Sequence, residues 1–368
     1  MNKKVVVVSG VNFFEGGPLT VMRDVLRSAV ADLKSDYIIY ALVHDSSLYD
    51  VEGVEYIEFP SSRKSWFHRI YFEFIHFFFL SLKLRPFVWL SMHDITPNVL
   101  ARHKFVYCHN PSPFYKATLF DFKFDRKFYL FSKFYWLLYR ISINQNKLVF
   151  VQQTWLKDQF SKFVSADKIA VARPDVEILY TQQNANRDKR DGCVKFFYPA
   201  LARTFKNHKV LIEAFVALPM DLRINAELIL TLSGDENQYA KMLYDRYCNE
   251  IGVKFVGRLN KQQMHDLYSR SSALVFPSKL ETWGLPITEA KQYGLPILAS
   301  DLPYAIETVG RYDGVVFINP DAVDFWSEIM CSVVRGAPIT GSQAAFKGED
   351  VLEGWSAFWQ RILKELGT

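Results

Sequence analysis

"ALVFPSKLETWGLPITEAKQYGLPILASD", residues 273–301, holds the pattern from which the fold is read. Ala273–Phe276 is a short apolar run closed by Pro277, as suits a buried strand. Residues 287–293 have helical character, with Pro286 at a favourable first position and Gly294 where the helix should stop. Residues 296–299 give the next strand. Glu281 thus falls in a strand-to-helix loop and Glu289 about one turn into the helix. In open α/β folds such loops lie at the carboxyl edge of a parallel sheet, where ligands bind.

The same alternation extends in both directions. Strands are expected at 5–8, 38–43, 54–59, 87–90, 105–108 and 148–151, then at 196–198, 228–232, 254–256, 273–276, 297–299 and 315–317. The first strand runs into a Gly16-Gly17-Pro18 turn and a helix with Val21, Val25, Leu26 and Ala29 on one face. Helical patterns between strands imply parallel sheets, and so an α/β fold. The polar stretch "TQQNANRDKRDG" (181–192) is the best linker. Two doubly wound halves of similar size imply a cleft between them.

Composition excludes several classes. A chain of 368 residues with 49% apolar content suits about two ordinary globular domains. Cys108, Cys193, Cys248 and Cys331 are scattered, which argues against a disulfide framework or a zinc site and suits a reducing compartment. "MNKKVVVVSG" has basic residues before an apolar run, but four valines are too few for a signal peptide and read as the first strand. A cytoplasmic location is expected.

The net charge of +5 is modest and unevenly placed. Residues 63–85, "RKSWFHRIYFEFIHFFFLSLKLR", carry five Lys or Arg against one Glu among dense aromatics. Residues 116–140 repeat the mixture. Neither reaches the about 18 uninterrupted apolar residues of a membrane span, since Glu73, His76 and Lys83 break the first. Two readings stay open: helices packed in a core with cations at the rim, or a surface that meets anionic lipid. Nucleic acid is not an expected partner, for no reading motif accompanies the charge.

Residues 273–301 also resemble the signature of the family-4 retaining glycosyltransferases (glycosyl transferases group 1), whose Glu-x7-Glu motif has this strand-loop-helix setting. "VKFVGRLNKQQMHDLYSRSSALVFPS" (253–278) is similar to the segment before that signature, and "FFYPALARTFKNHKVLIEAF" (196–215) to the opening of the family's second domain. "NFFEGGPLTVMRDVL" (12–26) resembles its glycine-rich loop, and "FVYCHNPSPFY" (105–115) its histidine-bearing loop. The resemblance implies the GT-B architecture, two Rossmann-like domains with parallel sheets facing a central cleft. The expected divisions are an acceptor-side domain at 1–180, a linker at 181–193, a nucleotide-sugar domain at 194–349 and a helix at 350–368 returning to the first domain.

A nucleotide-sugar donor, here a UDP- or GDP-sugar, presents a ribose diol, two phosphates and sugar hydroxyls. Carboxylates accept strongly from hydroxyls. By the resemblance, Glu289 holds the ribose and Glu281 the transferred sugar. Backbone N–H groups around Gly284, Leu285 and Ile287, at a helix amino terminus, would receive phosphate oxygens, and Pro286 belongs to the same donor-binding turn by the resemblance. Taken singly, Glu289 reads equally as a helix-dipole partner and Glu281 as a solvated loop residue.

Lys206 matches the family's phosphate-binding lysine; its plain alternative is a solvated side chain before a helix capped by Asn207. The family often has Gly-Arg five residues before that lysine, where this chain reads Ala200-Leu201, so Arg203 stands in as a displaced substitute. Arg258 completes the implied donor-binding set. Gly16 and Gly17 allow close approach of backbone to the donor or acceptor, or form a plain turn. His109 resembles the histidine near the reacting sugar, or is structural. His93 rests on a less specific match, and Trp283 reads as packing.

No Asp-x-Asp motif is present, so no metal and no other cofactor is expected. The resemblance implies a retaining hexosyltransferase acting on a saccharide or polyprenyl-linked saccharide, as in O-antigen or capsule assembly. On the lipid reading of the aromatic and basic segments, peripheral attachment to the inner membrane face is expected. The rivals are a nucleotide-sugar epimerase of the same architecture and a catalytically silent scaffolding subunit.

Overall fold

The computed structural model describes residues 3–33, 36–174, 192–339 and 351–367. They form two compact units. The first takes the described residues within Met1–Phe114, Phe134–Val176 and Gly348–Thr368, and the second those within Tyr115–Lys133 and Glu177–Lys347. Nearly all of the expected linker, 181–191, lies outside the described residues.

The chain opens with β1 (Lys4–Ser9), whose Val6, Val7 and Val8 are buried on both faces, as a central parallel strand requires. It continues through α1 (Gly16–Leu33), β2 (Tyr37–Val43) and β3 (Val54–Glu58). Gly16 and Gly17 are themselves the first residues of α1, so the turn expected at 16–18 is the opening turn of the helix. Next come α2 (Trp66–Tyr71), a π-helical stretch at Phe72–His76, and α3 (Phe77–Leu84). β4 (Val88–Ser91) and β5 (His103–Cys108) follow, then α4 (Leu119–Phe124) and α5 (Arg126–Arg140). β6 (Leu148–Val151), α6 (Thr154–Phe160) and β7 (Ile169–Arg173) complete this part.

The second unit's sheet begins at β8 (Val194–Tyr198), followed by α7 (His208–Val216), α8 (Met220–Arg223) and β9 (Ala226–Leu230). Then come α9 (Gln238–Tyr247), β10 (Val253–Phe255), α10 (Lys261–Arg270) and β11 (Ala273–Phe276). α11 (Leu285–Gln292), β12 (Ile297–Ser300), α12 (Pro303–Val309), β13 (Val315–Ile318) and α13 (Val323–Val334) close it. β14 (Val351–Glu353) and α14 (Gly354–Leu366) end the chain in the first unit.

Every strand pairing is parallel, in the order β14-β7-β6-β5-β4-β1-β2-β3 in one sheet and β10-β9-β8-β11-β12-β13 in the other. Each order reverses direction once, between β1 and β4 in the first sheet and between β8 and β11 in the second. In doubly wound sheets the crevice for a ligand lies there, outside the carboxyl ends of the strands. All the expected strands are present with edges shifted by at most two residues, and β7 and β14 were not anticipated.

The first unit's core packs α1 and α14 against one face of the sheet. Trp355, Phe358, Trp359 and Ile362 of α14 are buried there with Met22, Val25 and Leu26 of α1. Trp359 Nε1 donates to Val25 O at 3.0 Å, and Ser356 Oγ donates to Asp32 Oδ1 at 2.9 Å. Apolar burial and one satisfied indole thus fix the final helix. Among the described residues no helix is long and apolar enough to cross a membrane.

Candidate functional site

The second unit's switch point is built from the loops after β8 and β11, and they are tied to one another. Lys279 N donates to Phe205 O at 2.7 Å. Asn207 has φ +62°, in the left-handed region, and makes no side-chain cap to α7. Its amide instead donates to Pro277 O at 3.2 Å and Pro320 O at 2.6 Å. The expected capping role is therefore corrected: this buried amide clamps the loops. Tyr198 at the end of β8 donates its hydroxyl to Lys206 O at 2.6 Å.

This clamp brings Lys206 and Glu281 together. Lys206 Nζ donates to Glu281 Oε1, with 18% and 13% of the two side chains exposed. A pair this sheltered retains more of its Coulomb attraction than a surface pair. The next residues fix the helix that carries Glu289. Gly284 has φ +84°, and a Cβ there would touch Ile287, Phe276 and Tyr304 at 3.4 to 3.6 Å. Only glycine takes that conformation without strain. Trp283 Nε1 donates to Thr288 Oγ1 at 3.0 Å and Thr308 Oγ1 donates to Trp283 O, so Trp283 pins the loop as well as packing in it.

The α11 amino terminus offers fewer donors than expected. Pro286 has no N–H, and the Ile287 N–H donates to Gly284 O at 2.9 Å, which corrects its assignment as a phosphate donor. Leu285, 49% exposed, keeps its place at the first turn. Glu289 accepts from the Tyr268 hydroxyl at 2.5 Å. Burial raises its pKa, against which the tyrosine bond works.

Arg203 is engaged elsewhere. Its Nη2 meets Asp125 Oδ2 at 3.0 Å, and the guanidinium lies over Phe128 and Phe205 at 5.6 and 5.7 Å. Arg258 is exposed in the loop after β10. His208, buried at the start of α7 against Tyr198, is held neutral down to about 3 by burial. A buried histidine there has no sequence signal.

In the first unit Gly16 and Gly17 lie exposed after β1, Gly16 with φ +65° and open space around both. His109 follows β5. Its backbone N–H and that of Asn110 donate to Asp94 Oδ1 at 2.8 and 3.1 Å, and Phe13 lies 5.4 Å from its ring. His93 proves structural: it is buried, with Nε2 2.7 Å from Glu73 Oε1. Burial raises Glu73 to about 8 and lowers His93 well below its usual range. Both shifts favour the uncharged forms, so a neutral pair rather than an ion pair is the expected state of this contact. Glu73, on the π-helical stretch, was not singled out from sequence beyond interrupting an apolar run. Among the described residues no group of three or more His, Cys, Asp or Glu is placed to hold a metal ion.

Half of each aromatic segment faces outward. Phe72 and Phe77 are buried, whereas Phe67 is 84% and Phe79 64% exposed, with Trp66, Ile70, Tyr71, Ile75 and Leu82 also exposed. In 116–140, Leu119, Phe120, Phe122, Leu130, Phe134, Trp136 and Leu137 are exposed. The simple packed-core reading fits only the inner faces.

Residues 181–331 match the family model described as glycosyl transferases group 1. The chain is 32% identical over 120 residues to O-antigen chain mannosyltransferase B of Escherichia coli, covering 32% of this chain and 31% of that protein. It is 24% identical over 247 residues to O-antigen chain mannosyltransferase RfbU of Salmonella typhimurium, covering 66% and 64%. The aligned part thus spans less than two thirds of either relative's length. Among solved structures it resembles WaaG, a glycosyltransferase involved in lipopolysaccharide biosynthesis, with TM-score 0.65, 17% identity and 90% of each chain covered. The parallel strand orders and the likeness to such structures converge on the GT-B fold, and the segment matched by the glycosyl transferases group 1 model carries the second unit's sheet.

Proposed function

We propose that the protein transfers a hexose-type sugar from a UDP- or GDP-sugar to a saccharide or polyprenyl-linked saccharide, with retention at the anomeric carbon and without a metal ion. The observation that carries this reading is the Lys206–Glu281 pair at the β8/β11 switch point, beside the start of the helix that bears Glu289. The relatedness to O-antigen mannosyltransferases supports a polysaccharide acceptor and a hexose donor.

In this reading Glu289 accepts from the ribose diol and Glu281 from a sugar hydroxyl. Lys206 and the α11 amino terminus stabilise the diphosphate as the bond from anomeric carbon to phosphate oxygen breaks. The acceptor oxygen bonds to the same face of that carbon, and its proton goes to the departing phosphate oxygen. Gly16, Gly17 and His109 serve the acceptor or the transferred sugar. The exposed aromatic and basic helices attach the protein to anionic lipid at the cytoplasmic membrane face.

The test is incubation with labelled UDP- and GDP-sugars, with and without a polyprenyl-linked saccharide, and determination of the product's anomeric configuration. Acceptor-dependent transfer with retention in excess EDTA is expected. Conversion of the donor sugar without an acceptor would instead identify an epimerase. Activity lost in EDTA and restored by magnesium or manganese overturns the metal-free reading.

A further inference from the structure

Glu289 does not stand alone on its helix. The Tyr268 hydroxyl, from α10, donates to its Oε2 at 2.5 Å. That phenol has little freedom, being 2% exposed. Its ring lies nearly parallel to Tyr293, with centroids 5.2 Å apart and 13° between planes, and edge-on to Phe197 at 5.1 Å. Tyr293 is itself anchored, its hydroxyl 2.5 Å from His265 Nδ1. A ring cluster reaching from β8 to the end of α11, with Phe197 and Tyr268 buried and Tyr293 partly so, therefore sets where the hydroxyl points.

A carboxylate has two oxygens and about four acceptor positions. With Oε2 occupied by a fixed donor, Oε1 is left for a ligand, and the carboxylate plane is set by the bond and the helix together. A vicinal diol needs an acceptor whose orientation is settled before it arrives. We propose that Tyr268 is the positioning residue of the nucleotide site, holding Glu289 so that one oxygen stays available to the ribose diol. The inference rests on the ribose reading of Glu289 given above.

The measurement is calorimetry on the full chain with UDP and GDP, each compared with its 2′,3′-dideoxy form. Tyr268→Phe keeps the ring and its stacking and removes only the hydroxyl. The expected result is that affinity for the ribose form falls about tenfold, as for loss of a hydrogen bond to a charged group, while the dideoxy form binds as before. Glu289→Gln should lower the same ratio at least as far. If Glu289→Gln collapses the ratio and Tyr268→Phe leaves it intact, the positioning role is wrong and the ribose reading stands. An equal loss for both forms in Tyr268→Phe reduces Tyr268 to packing and also overturns the proposal. If Glu289→Gln leaves the ratio unchanged, or neither diphosphate binds, the ribose reading fails and the inference with it.

Discussion

Lys206 and Glu281 largely neutralise one another, so an incoming diphosphate must share the ammonium with a carboxylate already bonded to it. Removing Lys206 alone leaves Glu281 sheltered, unpaired and facing a dianion. Lys206→Ala should therefore weaken binding of the preferred nucleoside diphosphate by tenfold or more, and adding Glu281→Gln should recover part of the loss. A double-mutant cycle by calorimetry is expected to give a coupling of about 1–3 kcal/mol; strictly additive losses would show that the pair does not act as a unit. Glu73 offers a second test. Its carboxyl sits at about 8 when folded against a usual 4.5, so its contribution to stability is full below about 4.5 and is lost as pH rises towards 8. Glu73→Gln, which can still donate to His93, should gain on the parent protein across that window, by an amount on the order of a few kcal/mol, and run level beyond it. Parallel denaturation curves from pH 5 to 9 would refute the neutral pair. Glu281 and Glu289 stood out in sequence because glycine and proline punctuate their loop and their spacing resembles the family's motif, and Lys206 because its segment resembles the opening of the family's second domain. The Asp125–Arg203 pair was not, since its partners are distant in the chain and nothing local marks either.

At the scale of elements, α14 shows how burial and one hydrogen bond place a helix that follows the second unit in sequence but packs in the first. The helix was expected at "EGWSAFWQRILKEL" from the family resemblance, and the structure shows why it forms, since Trp355, Phe358, Trp359 and Ile362 recur at helical period and are buried. β14, before it, is three residues long and has no alternation to detect. β7, "IAVAR", is similarly short and lies just before the polar 181–192 stretch. Both are recruited by pairing with a formed sheet edge, a tertiary effect that local propensity does not record. Trp359→Ala removes a fully buried indole and its bond to Val25 O. The expected cost is about 3–5 kcal/mol, read as a lower denaturant midpoint, with nucleotide affinity of the remaining folded protein unchanged. A loss below about 1 kcal/mol would mean that α14 contributes little to the first unit.

For the molecule as a whole, the proposed attachment to anionic lipid predicts that transfer on a membrane and transfer in solution respond differently to loss of the exposed cations and rings. Lys123, Arg126, Lys127 and Lys133 are exposed on α4 and α5, and three of them lie over aromatic rings: Lys123 on Phe124, Arg126 on Phe122 and Lys133 on Tyr129. Each basic residue near an anionic surface contributes about 1 kcal/mol, screened within a Debye length of roughly 8 Å at physiological salt. The exposed rings of α2 and α3, Phe67 and Phe79 foremost, supply an apolar part that salt does not screen. The protein should therefore bind vesicles containing anionic lipid, lose much but not all of that binding as salt rises, and ignore neutral vesicles at high salt. Replacing the four cations by Gln should lower vesicle binding and transfer to a polyprenyl-linked acceptor, while transfer to a short soluble acceptor is nearly unaffected. Replacing Phe67 and Phe79 by Ser should remove the salt-resistant remainder. Equal loss on both acceptors would place the four cations in the fold or the site, and absence of vesicle binding by the parent protein would leave these helices without a lipid partner.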